Sequence, residues 1–251
     1  MRETSRQRGT SDPWKRRARE VSTSGGLRDL VARSEKQRVL VQRDRTTTLE
    51  AAVVDHRSSS DAKVALFRSL FRGRTDVYPR RFESRKTGRS GYAPACANEW
   101  VRGVCEKPRI KCAECLHRRF LPVTDTVTRW HLSGVDDTGE PFVAGVYPLL
   151  LDETCFFLAA DFDKAGWEQD ALAFVHACRR LELPVALERS RSGHGGHAWL
   201  FFDEAIPAAM ARRLASHVLT EAMEGRPDPG LDSYDRLFPN QDTFLRVGLA
   251  T

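Results

Sequence analysis

The alternation of apolar and polar residues is clearest near the middle of the chain. Apolar residues run from Phe156 to Ala160 and end in two aspartates, Asp161 and Asp163. A run of this length between polar residues is typical of a buried strand. Because side chains two apart on a strand point to the same face, the two carboxylates are predicted to project together. Phe162 is then predicted to turn into the core.

Helical spacing of apolar residues recurs on both sides of this strand. The stretches are Leu27–Arg45, a segment that starts at the capping residues Ser58–Asp61 and stops at Gly73, Trp167–Cys178 after Gly166, and Ile206–Glu224 before Gly225. Apolar residues at i, i+3, i+4 and i+7 indicate helices with one buried face. We therefore expect four helices over these stretches.

Other segments have the pattern of strands. They are Thr126–His131, Phe142–Val146 after a turn at 134–139, Leu183–Glu188, and a strand that opens with His197. The strand–helix–strand order from Phe156 to Glu188 predicts a βαβ-like unit in an α/β or α+β domain. Cys155 and Cys178 lie in apolar stretches and are predicted to be core residues.

Charge and cysteine content indicate the partner and the compartment. The 251-residue chain has a formal charge of +6 and an isoelectric point of about 9.2, which favours an anionic partner such as nucleic acid. No apolar run is long enough to span a bilayer, and the charged residues at the start of the chain lack an apolar h-region, so we expect no secretory signal there. We therefore expect a cytoplasmic protein whose six cysteines are thiols or metal ligands.

Four cysteines are clustered in a short polar stretch. They are Cys96, Cys105, Cys112 and Cys115, and the last two form a C-x-x-C knuckle. Four soft ligands in a reducing compartment predict a structural Zn²⁺ site, and His117 is an alternative ligand. The other interpretation is four unligated thiols. The surrounding cations, among them Lys107, Arg109 and Arg119, are suited to a phosphate backbone.

Three polar constellations suggest chemistry on phosphates. Asp161 and Asp163 are hard oxygen ligands for Mg²⁺ or Mn²⁺, or else two solvated acids. The glycine-rich turn Ser190–Gly196 offers amides, hydroxyls and guanidinium groups to phosphate oxygens, or else forms a plain β-hairpin. Asp235 is a candidate third carboxylate, although its segment also has the composition of a polar surface loop.

In this order the three constellations resemble the motifs of archaeo-eukaryotic primase–polymerases. Asp161-Phe162-Asp163 is similar to the family's acidic pair, Ser192–His197 to its Ser…His motif, and Tyr234-Asp235 to its third motif. More narrowly, the chain resembles the primase-like domain of TOTE conflict systems. That resemblance covers roughly residues 60–243 and is carried also by Leu66–Arg74, Lys107-Pro108, Tyr147-Pro148, Glu188–Gly193 and Arg236–Asp242.

The resemblance implies an RRM-like α/β catalytic core with an inserted zinc-binding module and N-terminal helices. It also implies a two-metal nucleotidyl transfer by a DNA primase or polymerase, within a bacterial conflict or defence system. The catalytic residues would be Asp161, Asp163 and Asp235, which hold Mg²⁺ or Mn²⁺. Arg189, Arg191, Ser192 and His197 would bind the nucleoside triphosphate. The expected partners are single-stranded or primed DNA and a helicase or nuclease, and no membrane.

Four segments follow from this interpretation. They are a disordered basic arm at 1–26, a helical segment at 27–75, the four-cysteine module at 76–125 and the catalytic domain at 126–251. The family continues into a further strand after Thr243, so we expect a C-terminally truncated domain. His194 departs from the family's pattern, and its role stays open. The alternatives are a truncated, catalytically inactive nucleic-acid-binding module and a metal-dependent nuclease.

Overall fold

The computed structural model describes residues 53–84, 87–225 and 230–243, which belong to a unit spanning Ala52–Thr251. The predicted basic arm at 1–26, the helix Leu27–Arg45 and the end of the chain after Thr243 lie outside the described residues. In the part that is described, no helix is both long and apolar enough to cross a membrane.

Helices and strands alternate along the described residues. In chain order they are α1 (Ser60–Leu70), β1 (Pro79–Glu83), β2 (Ser90–Pro94), α2 (Asp125–Ser133), β3 (Thr154–Asp163), α3 (Trp167–Arg180), β4 (Ala186–Arg189), β5 (Gly195–Pro207), α4 (Ala208–Glu224) and β6 (Tyr234–Phe238). Strands β1 and β2 form an antiparallel hairpin. The other strands form the sheet on which the candidate site lies.

That sheet has the strand order β4-β5-β3-β6, and every neighbouring pair is antiparallel. The chain visits it as β3-α3-β4-β5-α4-β6, so two β-α-β units interlock with β3 and β5 in the centre. This is the ferredoxin-like arrangement. The mixed α/β class predicted from the sequence is confirmed.

One face of the sheet carries the main core. The inward side chains Leu158, Ala160 and Phe162 of β3 alternate with outward ones, as predicted, and pack with Ala198 and Leu200 of β5. The core is completed by the buried faces of α3 and α4, which include Phe174, Cys178 and Val218. Cys155 and Cys178 are both buried, as expected. Because α3 and α4 take this face, the other face is left for the site.

Helix α1 covers part of that other face. It begins after Ser59, whose hydroxyl accepts a hydrogen bond from the Ala62 amide, and this cap was predicted. Phe71, just after the helix, packs its ring edge-on against three aromatic rings of the sheet. The ring centroids of Phe157, Trp199 and Phe201 lie 5.9, 5.0 and 5.4 Å from that of Phe71.

Two strand predictions were wrong. Residues 126–131 belong to helix α2, which Thr124 caps by accepting from the Val127 amide and which ends at Gly134 in the left-handed conformation. Local β propensity was overridden there by the capping residues at both ends. Phe142–Val146 forms one isolated bridge, between Ala144 and Arg80, and no strand.

A buried hydrogen bond fixes the start of β6. Ser233 is fully buried, and both its amide and its hydroxyl donate to Oδ2 of Asp170 in α3, at 3.1 and 2.7 Å. The Ser233 carbonyl accepts from the amide of Asp163 at 2.8 Å. One serine therefore links α3, the end of β3 and the start of β6.

We expect Ser233→Ala to lower the free energy of unfolding by about 1–3 kcal/mol, because the buried Asp170 carboxylate loses a hydrogen-bond donor. Ser216→Ala is the matched control, since the Ser216 hydroxyl is exposed and only donates back to the Arg212 carbonyl of its own helix. Chemical denaturation measures both. Equal effects of the two substitutions would contradict this role for Ser233.

Candidate functional site

Four charged or titratable residues form a row across the open face of the sheet. The strand registers pair Glu188 of β4 with His197 of β5, His197 with Asp161 of β3, and Asp161 with Arg236 of β6. Paired residues of neighbouring strands share a face. His197 Nε2 lies 3.5 Å from Asp161 Oδ1, and His197 Nδ1 lies 3.5 Å from Glu188 Oε2. The row therefore alternates acidic and basic groups.

The second and third aspartates flank this row. Asp163 projects beside Asp161 at the exposed end of β3, as predicted. Asp235 is the candidate third carboxylate, and its segment also has the composition of a surface loop. The structure places it on strand β6. A register shift of one residue opposite Asp161 and Phe162 leaves Asp235 as the extra residue of a β-bulge. Its carboxylate accepts a hydrogen bond from the neighbouring Arg236.

Together with the flanking Asp163 and Asp235, the row has more acidic than basic groups. Burial raises the pKa of Asp161, and Asp235 and Asp163 raise it further, against the lowering effects of His197 and Arg236. The interaction with Glu188 raises the pKa of His197, and Asp161 adds to this. The pKa of Glu188 is lowered by the same contact. The site therefore favours cations and holds His197 toward its charged form.

The turn between β4 and β5 holds the other predicted residues. Gly193 adopts a positive φ of 79°, which favours glycine, and its carbonyl accepts from Arg189 Nε at 3.2 Å. Ser192 Oγ lies 3.1 Å from Ser190 Oγ and accepts from the His194 amide. Arg191 is exposed at this turn. The turn thus places exposed Ser192 and Arg191 next to the strand that carries His197. Arg189 ends β4 and pairs with Gly196, so it lies on the opposite face from His197, with its guanidinium group 6.0 Å from the Trp167 ring centroid.

The four cysteines of the 96–115 stretch, together with His117, line one small cavity of about 20 Å³. All four are half-buried free thiols, and burial raises the pKa of the Cys112 thiol against the effect of nearby Lys107. In the described part of the chain, no three His, Cys, Asp or Glu side chains are grouped closely enough to hold a metal ion as they stand. The cysteines share a cavity, but their thiols are not drawn together around a common point.

Glu188 and Arg236 were not assigned a role from the sequence. Glu188 contacts His197 and accepts a hydrogen bond from Trp199 Nε1 at 2.8 Å. Both residues lie within sequence motifs that carry the family resemblance. Their positions opposite His197 and Asp161 could be recognised only once the registers of β4 and β6 were known.

Comparison with known families finds a match over most of the chain. A family model described as the TOTE conflict system archaeo-eukaryotic primase domain matches residues 62–250, about three quarters of the chain. No curated protein matches. The matched range includes α1 from its third residue onward, the cysteine stretch and every residue of the charged row.

Glu188→Gln should lower the pKa of His197, because the contact with Glu188 is the largest of the influences that raise it. Asp161→Asn should lower it less. Since the folded pKa is raised, His197 protonation stabilises the fold fully below its ordinary value of 6.5, and this contribution disappears as the pH rises through the folded value. NMR titration of the imidazole measures the shift. Glu204→Gln is the control, because Glu204 is an exposed acid on β5, the strand that carries His197. An unchanged His197 titration in Glu188→Gln would contradict the contact between the two residues.

Asp161→Asn should also raise the free energy of unfolding by about 1 kcal/mol at neutral pH, because the folded chain keeps a carboxylate whose ionisation is opposed by burial and by two neighbouring acids. The gain should vanish below the ordinary pKa of 3.8, where the carboxyl group is protonated in both states. Asp163→Asn, at an exposed position, should change stability little. Denaturant unfolding across this pH range distinguishes the two aspartates.

Proposed function

The chain belongs to the TOTE conflict system archaeo-eukaryotic primase domain family, and from this premise we propose that it is a nucleotidyltransferase that extends or starts strands on a DNA template. Membership itself establishes a primase-like domain of a conflict system. The proposal adds that the reaction is nucleotidyl transfer and that it serves a defence system. The observation that carries it is the row Glu188–His197–Asp161–Arg236, with Asp163 and Asp235 beside it.

By chemical type the three aspartates suit hard divalent cations, and binding would have to draw their carboxylates together, because as they stand they are not grouped around one point. Burial raises the pKa of Asp161, and the nearby charges of Asp235 and Asp163 raise it further, a repulsion that a bound cation would relieve. Oxygen ligands of this kind suit Mg²⁺ or Mn²⁺. Such ions, when bound, would activate a 3′-hydroxyl and stabilise the leaving pyrophosphate. Without them, Arg236 partly neutralises Asp235.

The residues beside the aspartates fit a triphosphate. His197 is held toward its charged form by Glu188, and its Nε2 faces the aspartate side of the row. The adjoining turn presents the hydroxyl of Ser192 and the guanidinium group of Arg191, whereas Arg189 is directed to the opposite face of the sheet. Charge-assisted hydrogen bonds from such groups are the strongest available to phosphate oxygens. We assign His197, Ser192 and Arg191 to the incoming nucleotide.

We further propose that the four cysteines hold a structural Zn²⁺. Their thiols line one cavity, none is in a disulfide, and four soft donors suit this ion. Zinc binding would draw the thiols together and displace their protons.

Asp161→Ala and Asp235→Ala should each reduce incorporation of labelled nucleotide on single-stranded DNA with Mn²⁺ by about a hundredfold or more, because a metal ligand is lost. Asp232→Ala removes an exposed aspartate of the same segment and should incorporate like the parent. Thermal unfolding confirms that each variant is folded. Equal incorporation by Asp161→Ala and the parent would refute the assignment.

The same assay distinguishes the alternatives. A metal-dependent nuclease would shorten a labelled strand when nucleoside triphosphates are omitted, and the aspartate variants would lose that cleavage instead. An inactive binding module would bind DNA with an affinity that falls steeply with salt concentration, and it would incorporate no nucleotide. Nothing in the geometry favours either alternative over nucleotide transfer.

Cys105→Ser and Cys112→Ser should each lower the zinc content of the purified protein well below that of the parent, measured by atomic emission, because a tetrahedral site loses a ligand. Cys155→Ala removes a buried thiol of the sheet core and should leave the zinc content unchanged. A parent protein without zinc after expression in zinc-supplemented medium would overturn this part of the proposal.

A further inference from the structure

Trp100 is the most conspicuous side chain of the cysteine stretch. It is 67% exposed, although tryptophan is an apolar residue that is usually well buried. Its backbone has a φ of 60°, in the left-handed region that bulky residues rarely adopt. Among the described residues no aromatic ring contacts it, and the amino group of Lys107 lies 5.7 Å from its ring centroid. Packing among the described residues therefore does not account for a strained, exposed indole here.

The loop that carries Trp100 is firmly held. The amides of Glu99 and Val101 donate to the carbonyls of Cys96 and Asn98, and the Cys105 amide donates to the Val101 carbonyl. Lys107 forms a partly buried ion pair with Glu99 at 2.7 Å. The indole is therefore presented on an ordered turn, and little further ordering would be needed on binding. Strained and exposed positions of this kind are characteristic of functional sites.

The cysteine stretch that carries this turn is rich in exposed cations. The Asn98 side chain donates to the His117 carbonyl at 2.6 Å, and the amide of Ala97 donates to the Arg119 carbonyl at 2.8 Å, so the loop lies against the segment that follows the C-x-x-C knuckle. The exposed basic residues of this stretch are Arg102, Arg109, Lys111, Arg118 and Arg119. An exposed aromatic ring amid cations is the combination by which proteins bind single strands, because the ring stacks on a base and the cations contact phosphates.

We propose that Trp100 is a stacking platform for an unpaired base of a single-stranded nucleic acid, with Arg102 and Arg119 as phosphate contacts. The inference deepens the proposed function and rests on it for the identity of that strand as the template. A duplex does not fit the site, because its bases are already stacked on one another. The surface requires no catalytic aspartate and no nucleotide.

The test measures binding of fluorescein-labelled oligo-dT to the full chain purified with zinc, in the absence of nucleoside triphosphates. Trp100→Ala should weaken binding about tenfold, and Trp100→Phe should remain within about threefold of the parent, because a smaller ring still stacks. Leu116→Ala is the matched control, since Leu116 is an apolar residue of the same stretch that is 94% exposed and cannot stack. It should bind like the parent.

Two further readouts separate stacking from a general disturbance of the stretch. Oligo-dT should quench tryptophan fluorescence in the parent, and the quenching should be smaller in Trp100→Phe although binding persists. Arg119→Gln should make the salt dependence shallower by about one phosphate contact, whereas Trp100→Ala should leave its slope unchanged. A blunt duplex of equal length should compete poorly.

The outcomes distinguish this inference from the proposed function. Undiminished oligo-dT affinity in Trp100→Ala, or unchanged quenching in Trp100→Phe, would overturn the stacking role even if the parent incorporates nucleotides. Stacking behaviour as expected, without incorporation by the parent, would refute nucleotide transfer and keep the single-strand surface. Equal loss of affinity in Leu116→Ala would also overturn it, since the effect would then not depend on an aromatic ring.

Discussion

The alternation of side chains along β3 is the constraint on which the rest of the site depends. Phe162 is buried between the sheet and α3, so Asp161 and Asp163 must face the other way. A shift of β3 by one residue would bury both carboxylates and expose the phenylalanine, which is energetically prohibitive. The hydrophobic core therefore fixes the orientation of acids that contribute nothing to it. The bulge at Asp235 adds a third carboxylate from the neighbouring strand.

The charged row shows how the fold tolerates this arrangement. Glu188 and Asp161 each have a basic neighbour in the row. The pKa of Asp161 is nevertheless raised, because burial and two nearby carboxylates outweigh His197 and Arg236. The site thus carries an unfavourable excess of negative charge that a divalent cation would relieve. A sheet selected for stability alone would replace Asp161 with an uncharged residue. Its retention agrees with a role in binding a cation.

The two proposed functions lie in different parts of the structure, nucleotide transfer on the sheet and strand binding on the cysteine stretch. Helices α3 and α4 close one face, and α1 covers the aromatic part of the other, where Phe71 packs on Phe157, Trp199 and Phe201. Trp199 also donates to Glu188, so the aromatic cluster and the charged row are joined by one hydrogen bond. The cysteine stretch lies outside this sheet and offers the basic surface with Trp100. Nucleotide chemistry and strand binding are accordingly proposed for separate parts of one unit.

The sequence by itself determined the strong local patterns. The apolar run before Asp161, the cap at Ser59, the helix periodicity after Trp167 and the burial of Cys178 depend on neighbours within a few residues, and all were predictable. Residues 126–131 were mistaken for a strand because their local propensity was overridden by caps on either side. Only the tertiary structure decided which side chains meet across strands. Strand register places Glu188 opposite His197 and Arg236 opposite Asp161, and it creates the bulge at Asp235. Register depends on the packing of segments that are distant in sequence, so no single segment's sequence reveals it.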